Sequence, residues 1–171
     1  ADNTTYHFRV KSKDAAGNLS TSADQTFTTL DGTAPVISTV TSSSITASAA
    51  TIAWSTNEAA DSQVEYGLTT AYGSTTTLDA APVTSHSVTL TGLTDNTTYH
   101  FRVKSKDSTG NLSTSADQTF TTLDGTAPVI STLTTSNVTA AAATISWSTN
   151  EAADSQVEFG LTTDYGTSTT L

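Results

Sequence analysis

A long stretch of this chain occurs twice. Residues 1–78 align without gaps with residues 94–171, an offset of 93 positions, and 65 of the 78 aligned pairs are identical. The differences are mild: Val40 becomes Leu133 and Tyr66 becomes Phe159, changes that keep the apolar character a packed core requires. A repeat of 93 residues is the length of one small domain, so the chain is predicted to contain one complete unit flanked by parts of two others.

The most regular part of the repeat begins at Tyr99. Tyr99, Phe101 and Val103 alternate with polar residues, which is the pattern of a strand with one buried and one wet face. This segment and its copy also hold the six basic residues of the chain, namely Arg9, Lys11, Lys13, Arg102, Lys104 and Lys106.

Short alternating segments continue through the complete unit, separated by turn residues and without helical periodicity. Trp54 is predicted as a core anchor, as is Trp147 in the next copy, and Asp107–Asn111 is predicted as a turn. The pattern indicates an all-β fold, an antiparallel sandwich of seven strands. The predicted strands are Val36–Thr41, Ala50–Thr56, Asp61–Tyr66, the rim segment Tyr72–Thr77, Ser87–Leu90, the strand that begins at Tyr99, and Asp117–Thr122.

Several of these features occur together in one known family. The unit resembles a bacterial fibronectin type III domain in the position of Trp54, the sequence VEYG at Val64–Gly67, the spacing from Leu93 to Tyr99, and the D-x-x-G-N turn that starts at Asp107. The resemblance implies tandem immunoglobulin-like (fibronectin type III) β-sandwiches with seven strands per 93-residue repeat. It also implies that the Tyr99 phenol bonds to upstream backbone. The expected role is a spacer, adhesion or scaffold module.

The repeat predicts the domain boundaries. Residues 1–30 correspond to the last two strands (F and G) of a unit, 31–34 to a linker, 35–123 to a complete domain, 124–127 to a second linker, and 128–171 to the first strands (A, B, C and C′) of the next unit. The two partial units complement each other except for a counterpart of Asp79–Leu93. The chain is therefore expected to be an excerpt of a longer array, or a subunit that completes its neighbours by strand addition.

Composition limits the partners. Sixteen acidic and six basic residues give a net charge of −10, which disfavours nucleic acid. There is no cysteine, so no disulfide or thiolate metal site can form, and no apolar run is long enough to insert into a membrane. The expected partners are neighbouring repeats of the same protein, with a homopolymer as one form; the sequence does not identify a protein or carbohydrate ligand. Only Tyr72 and Tyr165 are candidates for an aromatic sugar platform.

Two places in the sequence offer oxygen ligands of the kind that calcium binds. Asp107, Gly110 and Asn111 offer a carboxylate and an amide of the kind that calcium binds, but the same spacing is typical of a hairpin turn. The linker acids Asp31 and Asp124 are an alternative ion site between domains. The turn is favoured, and the sequence predicts no metal and no cofactor.

Histidine and serine suggest no catalysis. His7 and His100 lie on the wet face of their strands, His86 opens another strand, and none has a ligand-like neighbour in sequence for zinc. No G-x-S-x-G nucleophile motif occurs, so the chain is predicted not to be an enzyme and to have no catalytic residue.

The basic residues of the strand at Tyr99 have two interpretations. Arg102, Lys104 and Lys106 are predicted to face Glu65 and Gln63 across neighbouring strands, as structural pairs. The alternative is a contact with an anion or a polysaccharide along this face.

Taken together, the sequence predicts a structural repeat module of a secreted or cell-surface bacterial protein. Such modules would form an extended rod, stalk or filament, with head-to-tail strand complementation between chains as one form of it. The alternative is an adhesin stalk or an accessory spacer of a secreted polysaccharide-degrading enzyme.

Overall fold

The structure is a computed structural model of the chain and describes residues 1–170. Within that range the regular elements are β-strands, and no helix is present that could span a membrane. The strands are β1 Thr5–Phe8, β2 Lys11–Lys13, β3 Leu19–Thr21, β4 Gln25–Thr28, β5 Ile37–Ser43, β6 Ala49–Gly67, β7 Ser74–Thr75, β8 Asp79–Thr91, β9 Thr98–Lys106, β10 Leu112–Thr114, β11 Gln118–Thr121, β12 Ile130–Ser136, β13 Thr144–Thr149, β14 Glu158–Phe159 and β15 Thr167–Ser168.

The chain divides into two compact units, Ala1–Gly125 and Thr126–Leu171. The first unit contains an N-terminal segment (residues 1–30), in which β1 pairs with β4 and β2 with β3, followed by the complete domain of β5 to β11. The second, here the C-terminal unit, contains the antiparallel pairs β12–β13 and β14–β15.

The complete domain is built around β6. The first half of β6 pairs with β5 and β8, with Trp54 opposite His86. The second half pairs with β7 and β9, with Glu65 opposite Arg102. One strand thus passes from one sheet of the sandwich into the other. The seven antiparallel strands confirm the predicted sandwich of immunoglobulin and fibronectin type III type.

Several strand boundaries differ from the prediction. The segments predicted as separate strands, Ala50–Thr56 and Asp61–Tyr66, form the single strand β6. Its pairing with β8 shifts register between Ser55 and Ala60 and again between Ala60 and Ser62. Such irregularities bend a strand without ending it, so no glycine or proline is needed where the chain changes sheet.

Other differences are changes of extent. Strand β8 is longer than the predicted strand Ser87–Leu90, which it contains. Strand β7 is shorter than the predicted rim strand Tyr72–Thr77. The last predicted strand, Asp117–Thr122, corresponds to β11, whereas β10 was not predicted; both strands pair with β9. Because β6 merges two predicted strands and β10 adds one, the total remains seven.

The core confirms the alternation predicted from Tyr99 onward. Phe101 and Val103 are completely buried, and Tyr99 and Phe120 are 8% and 5% exposed. Trp54 is also buried, and its indole nitrogen donates a hydrogen bond to Ser105 Oγ at 2.9 Å. The Tyr99 hydroxyl accepts a hydrogen bond from the Thr94 backbone N–H at 2.9 Å, which is the contact implied by the fibronectin type III resemblance.

Strand β5 lies at the edge of its sheet and contains a bulge. Its register against β6 shifts between Ser38 and Thr41, and Thr39 has a φ of 51°. The copy β12 repeats the irregularity, with a φ of 49° at Thr132. A β-branched residue in the left-handed region is unusual and strained. The same strained geometry therefore occurs in both copies.

Candidate functional site

Three carboxylates from distant parts of the sequence meet at one end of the complete domain. Asp31 lies in the linker before β5, Glu58 in the irregular middle of β6, and Asp107 directly after β9. One carboxylate oxygen from each residue lies within 4.8 Å of the others. These three residues, Asp31, Glu58 and Asp107, are called the acidic cluster below.

Asp107 is held in place by the turn that follows it. Its Oδ1 accepts backbone hydrogen bonds from Thr109, Gly110 and Asn111 at 2.7–2.9 Å. Gly110 has a φ of 100°, a conformation that favours glycine. These contacts confirm the predicted turn. Burial acts to raise the pKa of Asp107, but the hydrogen bonds from Asn111 and Thr109 outweigh it and lower the pKa to about 2.

The same turn holds the linker. The backbone carbonyl of Asp31 accepts hydrogen bonds from Asn111 Nδ2 at 3.1 Å and from Thr109 Oγ1 at 3.3 Å. The Asp31 side chain in turn accepts the backbone N–H of Thr33 at 3.0 Å. The linker is therefore fixed to the domain that it precedes.

Glu58 completes the cluster and had no local signal in the sequence. Burial, together with the negative charges of Asp31 and Asp107, raises its pKa. Chemically, three converging carboxylate oxygens can contact one hard cation such as Ca²⁺. Asp31 and Asp107, the acids of the two calcium alternatives, are brought together here, whereas Asp124 is not part of the cluster and Asn111 presents its N–H group to Asp31. The expectation that the chain holds no metal stays a prediction.

The basic residues of β9 pair with acids on β6. Arg102 Nε donates to Glu65 Oε2 at 2.6 Å and Lys104 Nζ to Oε1 at 3.2 Å, while Lys106 Nζ lies 4.0 Å from Asp61 Oδ2. Burial opposes ionisation of Glu65, but its hydrogen bonds to the two cations prevail and lower its pKa. The structural interpretation of this face is confirmed, except that Gln63 bonds to the Thr76 carbonyl instead.

The aromatic candidates for sugar binding differ in their surroundings. The guanidinium carbon of Arg102 lies over the ring of Tyr72, 4.6 Å from the ring centroid. That face is therefore occupied by a side chain of the domain itself. Tyr165, its copy in the C-terminal unit, is 52% exposed.

His86 is placed differently from the expectation that it merely opens a strand. It is 2% exposed, its Nδ1 lies 2.7 Å from Ser62 Oγ, and its Nε2 lies 2.9 Å from Thr56 Oγ1. Burial lowers the pKa of His86. A neutral imidazole with both nitrogens bonded to buried hydroxyls has no route to a substrate, so the pair with Ser62 is a core contact. The sequence contains a signal for this burial, because side chains two residues apart in a strand lie on the same face, and His86 shares that spacing with Val88 and Leu90.

The other histidines bond to carboxylates that the sequence did not place beside them. His100 Nδ1 lies 2.8 Å from Asp117 Oδ2, and its copy His7 lies 2.7 Å from Asp24 Oδ2. Each carboxylate comes from the loop before the neighbouring strand, 17 residues along the chain. Each pair supplies two possible ligands, fewer than a structural zinc site uses.

The sandwich places the chain in the class of fibronectin type III-like domains. Residues 35–122, just over half of the 171 residues, match the family model described as purple acid phosphatase, N-terminal domain. The chain belongs to this family.

Three bacterial enzymes contain similar sequence. The chain is 38% identical to endoglucanase B of Cellulomonas fimi over 160 residues, 39% identical to exoglucanase B of the same organism over 140 residues, and 35% identical to chitinase A1 of Niallia circulans over 121 residues. These alignments cover 84%, 74% and 67% of the chain. The same alignments span only 15%, 12% and 17% of the enzymes.

Proposed function

We propose that this chain is a non-catalytic spacer module of a larger, secreted bacterial protein that degrades a polysaccharide. The observation that carries the proposal is that similar sequence occupies a small share of an endoglucanase, an exoglucanase and a chitinase. A segment shared by enzymes with different named activities fits a role that does not depend on the reaction. It also favours the enzyme-accessory alternative over an adhesin stalk.

The interior of the complete domain supports a structural role. The polar side chains of Ser62, Ser105 and His86 are buried and hydrogen-bonded to other core residues. On the surface, the basic residues of β9 are paired with acids of β6. These contacts stabilise the sandwich, which supports a structural role for the groups that form them.

The linker supports a spacer in particular. Hydrogen bonds from Thr109 and Asn111 to Asp31 join the linker to the turn after β9, and Pro35 is fully buried where the domain begins. A joint fixed in this way restricts the motion of whatever segment precedes it. A series of such modules would form an extended rod that holds other domains apart.

An extracellular location follows from the proposed role. Cellulose and chitin are insoluble polymers, so a protein that degrades them works outside the cell. The acidic surface, with a net charge of −10, suits a soluble spacer exposed to solvent.

The test uses the 171-residue chain with microcrystalline cellulose and with chitin. The spacer role predicts that the chain stays in the supernatant after sedimentation of each polymer and releases no reducing sugar. Retention by either polymer would overturn it in favour of carbohydrate binding, and release of sugar would overturn it in favour of catalysis. The variant Tyr165→Ala tests whether the exposed ring of Tyr165, a candidate for sugar binding, is the source of any retention.

A further inference from the structure

The linker contains a peptide bond that is open to chemical rearrangement. Asp31 is followed by Gly32 and Asp124 by Gly125, whereas every other aspartate of the chain precedes a residue with a side chain. Glycine has no Cβ atom to shield its backbone nitrogen, so this nitrogen can approach the side-chain carboxyl group of the preceding aspartate. Attack at that group gives a cyclic imide, which water opens to aspartate or to isoaspartate.

The fold places the carboxyl group of Asp31 beside this bond. Asp31 Oδ1 accepts the backbone N–H of Thr33 at 3.0 Å, so the side chain is folded back along the intervening Gly32 peptide. Gly32 is exposed, and apart from its chain neighbours no heavy atom lies within 4 Å of the position that a Cβ atom would occupy. The Gly32 nitrogen is therefore unshielded.

A second carboxylate, that of Asp2, lies against the attacking nitrogen. Hydrogen bonds from Thr33 Oγ1 and from the backbone N–H groups of Asp2 itself and of Gly32 lower the pKa of Asp2, which is therefore ionised and can accept a proton. The second linker repeats the contact, because Asp95, the copy of Asp2, accepts the backbone N–H of Gly125 at 3.4 Å. Each Asp-Gly bond thus has a proton acceptor beside its nitrogen.

Glu58 can supply a proton to the carboxyl group of Asp31. One oxygen of each residue lies within 4.8 Å of the other, a distance that a single water molecule can bridge. Burial, together with the negative charges of Asp31 and Asp107, raises the pKa of Glu58, so more of it is protonated at neutral pH than of an ordinary glutamate. The electrophile therefore has an acid near it, as the nucleophile has an acceptor.

We propose that Asp31 is a site of self-modification, at which it converts to isoaspartate through a cyclic imide with Gly32, assisted by Asp2 and Glu58. Glu58 protonates one oxygen of the Asp31 carboxylate. The Gly32 nitrogen then bonds to Asp31 Cγ while its proton passes to Asp2, and Asp2 returns this proton to the departing hydroxyl group, which leaves as water. Glu58 regains its proton from solvent, so the step needs no other reagent.

Water opens the imide in two ways. Attack at Asp31 Cγ restores aspartate. Attack at the backbone carbonyl carbon of Asp31 breaks the bond from that carbon to the Gly32 nitrogen, which stays attached to Cγ. The main chain then runs through the former side chain and is longer by one methylene group, and the former carbonyl group becomes a free carboxylate.

The conversion would alter the joint between the linker and the complete domain. The backbone carbonyl of Asp31 is the group that Thr109 and Asn111 hold. In isoaspartate the corresponding oxygens belong to a pendant carboxylate, so the same hydrogen bonds no longer fix the main chain. The joint therefore loosens as the protein ages. This inference goes beyond the spacer role and does not depend on it.

The test follows the intact 171-residue chain during several weeks of incubation at neutral pH. Endoproteinase Asp-N cleaves before aspartate but not before isoaspartate, and electron-transfer fragmentation identifies the extra main-chain bond. Cleavage before Asp31 should be lost progressively without a change of peptide mass, whereas cleavage before Asp79, which precedes alanine, should be retained. Equal retention of both cleavages overturns the proposal.

Incubation of the same chain in urea separates the contribution of the fold from that of the Asp-Gly sequence. Because positioned proton transfer accelerates a reaction, isoaspartate at Asp31 should form faster in the folded chain by about tenfold or more. An equal or faster rate in urea would show that the bond reacts without help from Asp2 and Glu58, and it would overturn the proposal.

Asp2→Asn and Asp95→Asn form a matched pair, since each removes the proton acceptor of one linker. Asp2→Asn should slow the conversion of Asp31 by about tenfold or more. Asp95→Asn makes the equivalent change in the second linker and should leave the rate at Asp31 unchanged. Equal rates at Asp31 in the two variants would contradict the role of Asp2.

Two further variants address the nucleophile and the acid. Gly32→Ala should reduce isoaspartate at Asp31 to the level of the other aspartates, and the linker accommodates the added methyl group because the space around it is open. Glu58→Gln should slow the conversion without abolishing it. Unchanged formation of isoaspartate in either variant would overturn the proposal. The spacer role would stand in that case, because it is judged by the polymer sedimentation assay.

Discussion

His86 lies flat against Trp54, with the ring centroids 4.8 Å apart and an interplanar angle of 4°. The stack connects β8 to the centre of β6, where the two strands pair Trp54 with His86. Each imidazole nitrogen has its own hydroxyl partner: Nε2 bonds to Thr56 and Nδ1 to Ser62. One buried polar ring thus joins an aromatic contact, two hydrogen bonds and a strand pair.

Removal of this ring is predicted to destabilise the complete domain strongly. His86→Ala leaves a cavity against Trp54 and two buried hydroxyls without their partner, a loss of about 2–4 kcal/mol in the free energy of unfolding. His100→Ala is the control, because it removes a partly exposed pair with Asp117 and should cost less than about 1 kcal/mol. Urea unfolding followed by tryptophan fluorescence measures both, and equal losses would contradict the assigned role of His86.

The buried imidazole also predicts a pH dependence. Its pKa in the folded state lies below the ordinary value of 6.5, so the unfolded chain takes up a proton more readily than the folded chain. The contribution of neutral His86 is complete above that ordinary value and is lost as the pH falls below it. The slope for one proton is at most about 1.4 kcal/mol per pH unit.

The variant His86→Gln isolates this effect. The difference in unfolding free energy between the parent chain and the variant should shrink as the pH is lowered from 7 to 5. A difference that is constant over this range would show that His86 accepts a proton equally well in both states.

Asp107 provides a prediction at lower pH. Its pKa of about 2 lies below the ordinary 3.8, so its stabilising contribution is present above pH 3.8 and is lost as the pH falls toward 2. Asp107→Asn should lower the melting temperature of the complete domain at pH 7 and remove this acid dependence. The repeat supplies the control: Asp14→Asn changes the same turn in the exposed N-terminal segment and should leave that melting transition in place.

The two glutamates of β6 should respond in opposite directions. The pKa of Glu58 is raised in the folded state, so its ionised form opposes folding at neutral pH, and Glu58→Gln should raise the melting temperature. That gain should fade as the pH falls and Glu58 takes up a proton. Glu65→Gln should instead lower the melting temperature, because it leaves Arg102 and Lys104 without their acid. Differential scanning calorimetry from pH 4 to pH 8 compares them, and a change of the same sign would contradict the electrostatic account.

Much of the fold was predictable because its signals are local. The alternation of Tyr99, Phe101 and Val103 reports the two faces of a strand directly, and the opposite charges on β6 and β9 follow once those strands pair. The continuity of β6 was not predictable in this way. Its bend depends on register shifts against β8 between Ser55 and Ser62, and these are set by tertiary pairing.

The acidic cluster was predictable only in part, for a related reason. Asp31 and Asp107 each lie in a segment with a recognisable pattern, but the contact between linker and turn depends on how residues 76 positions apart in sequence meet in the fold. Glu58 lies in a stretch with no motif. Its role follows from the path of β6 between the two sheets.

The bulge at Thr39 has a consequence for how near-identical copies coexist. An edge strand presents unpaired N–H and C=O groups that a neighbouring strand can extend into a continuous ladder. In β5 and its copy β12 the shifted register interrupts that row of groups near its middle. Lateral, amyloid-like growth through these edges is thereby impeded, although copies that share 65 of 78 residues would otherwise be well matched for it.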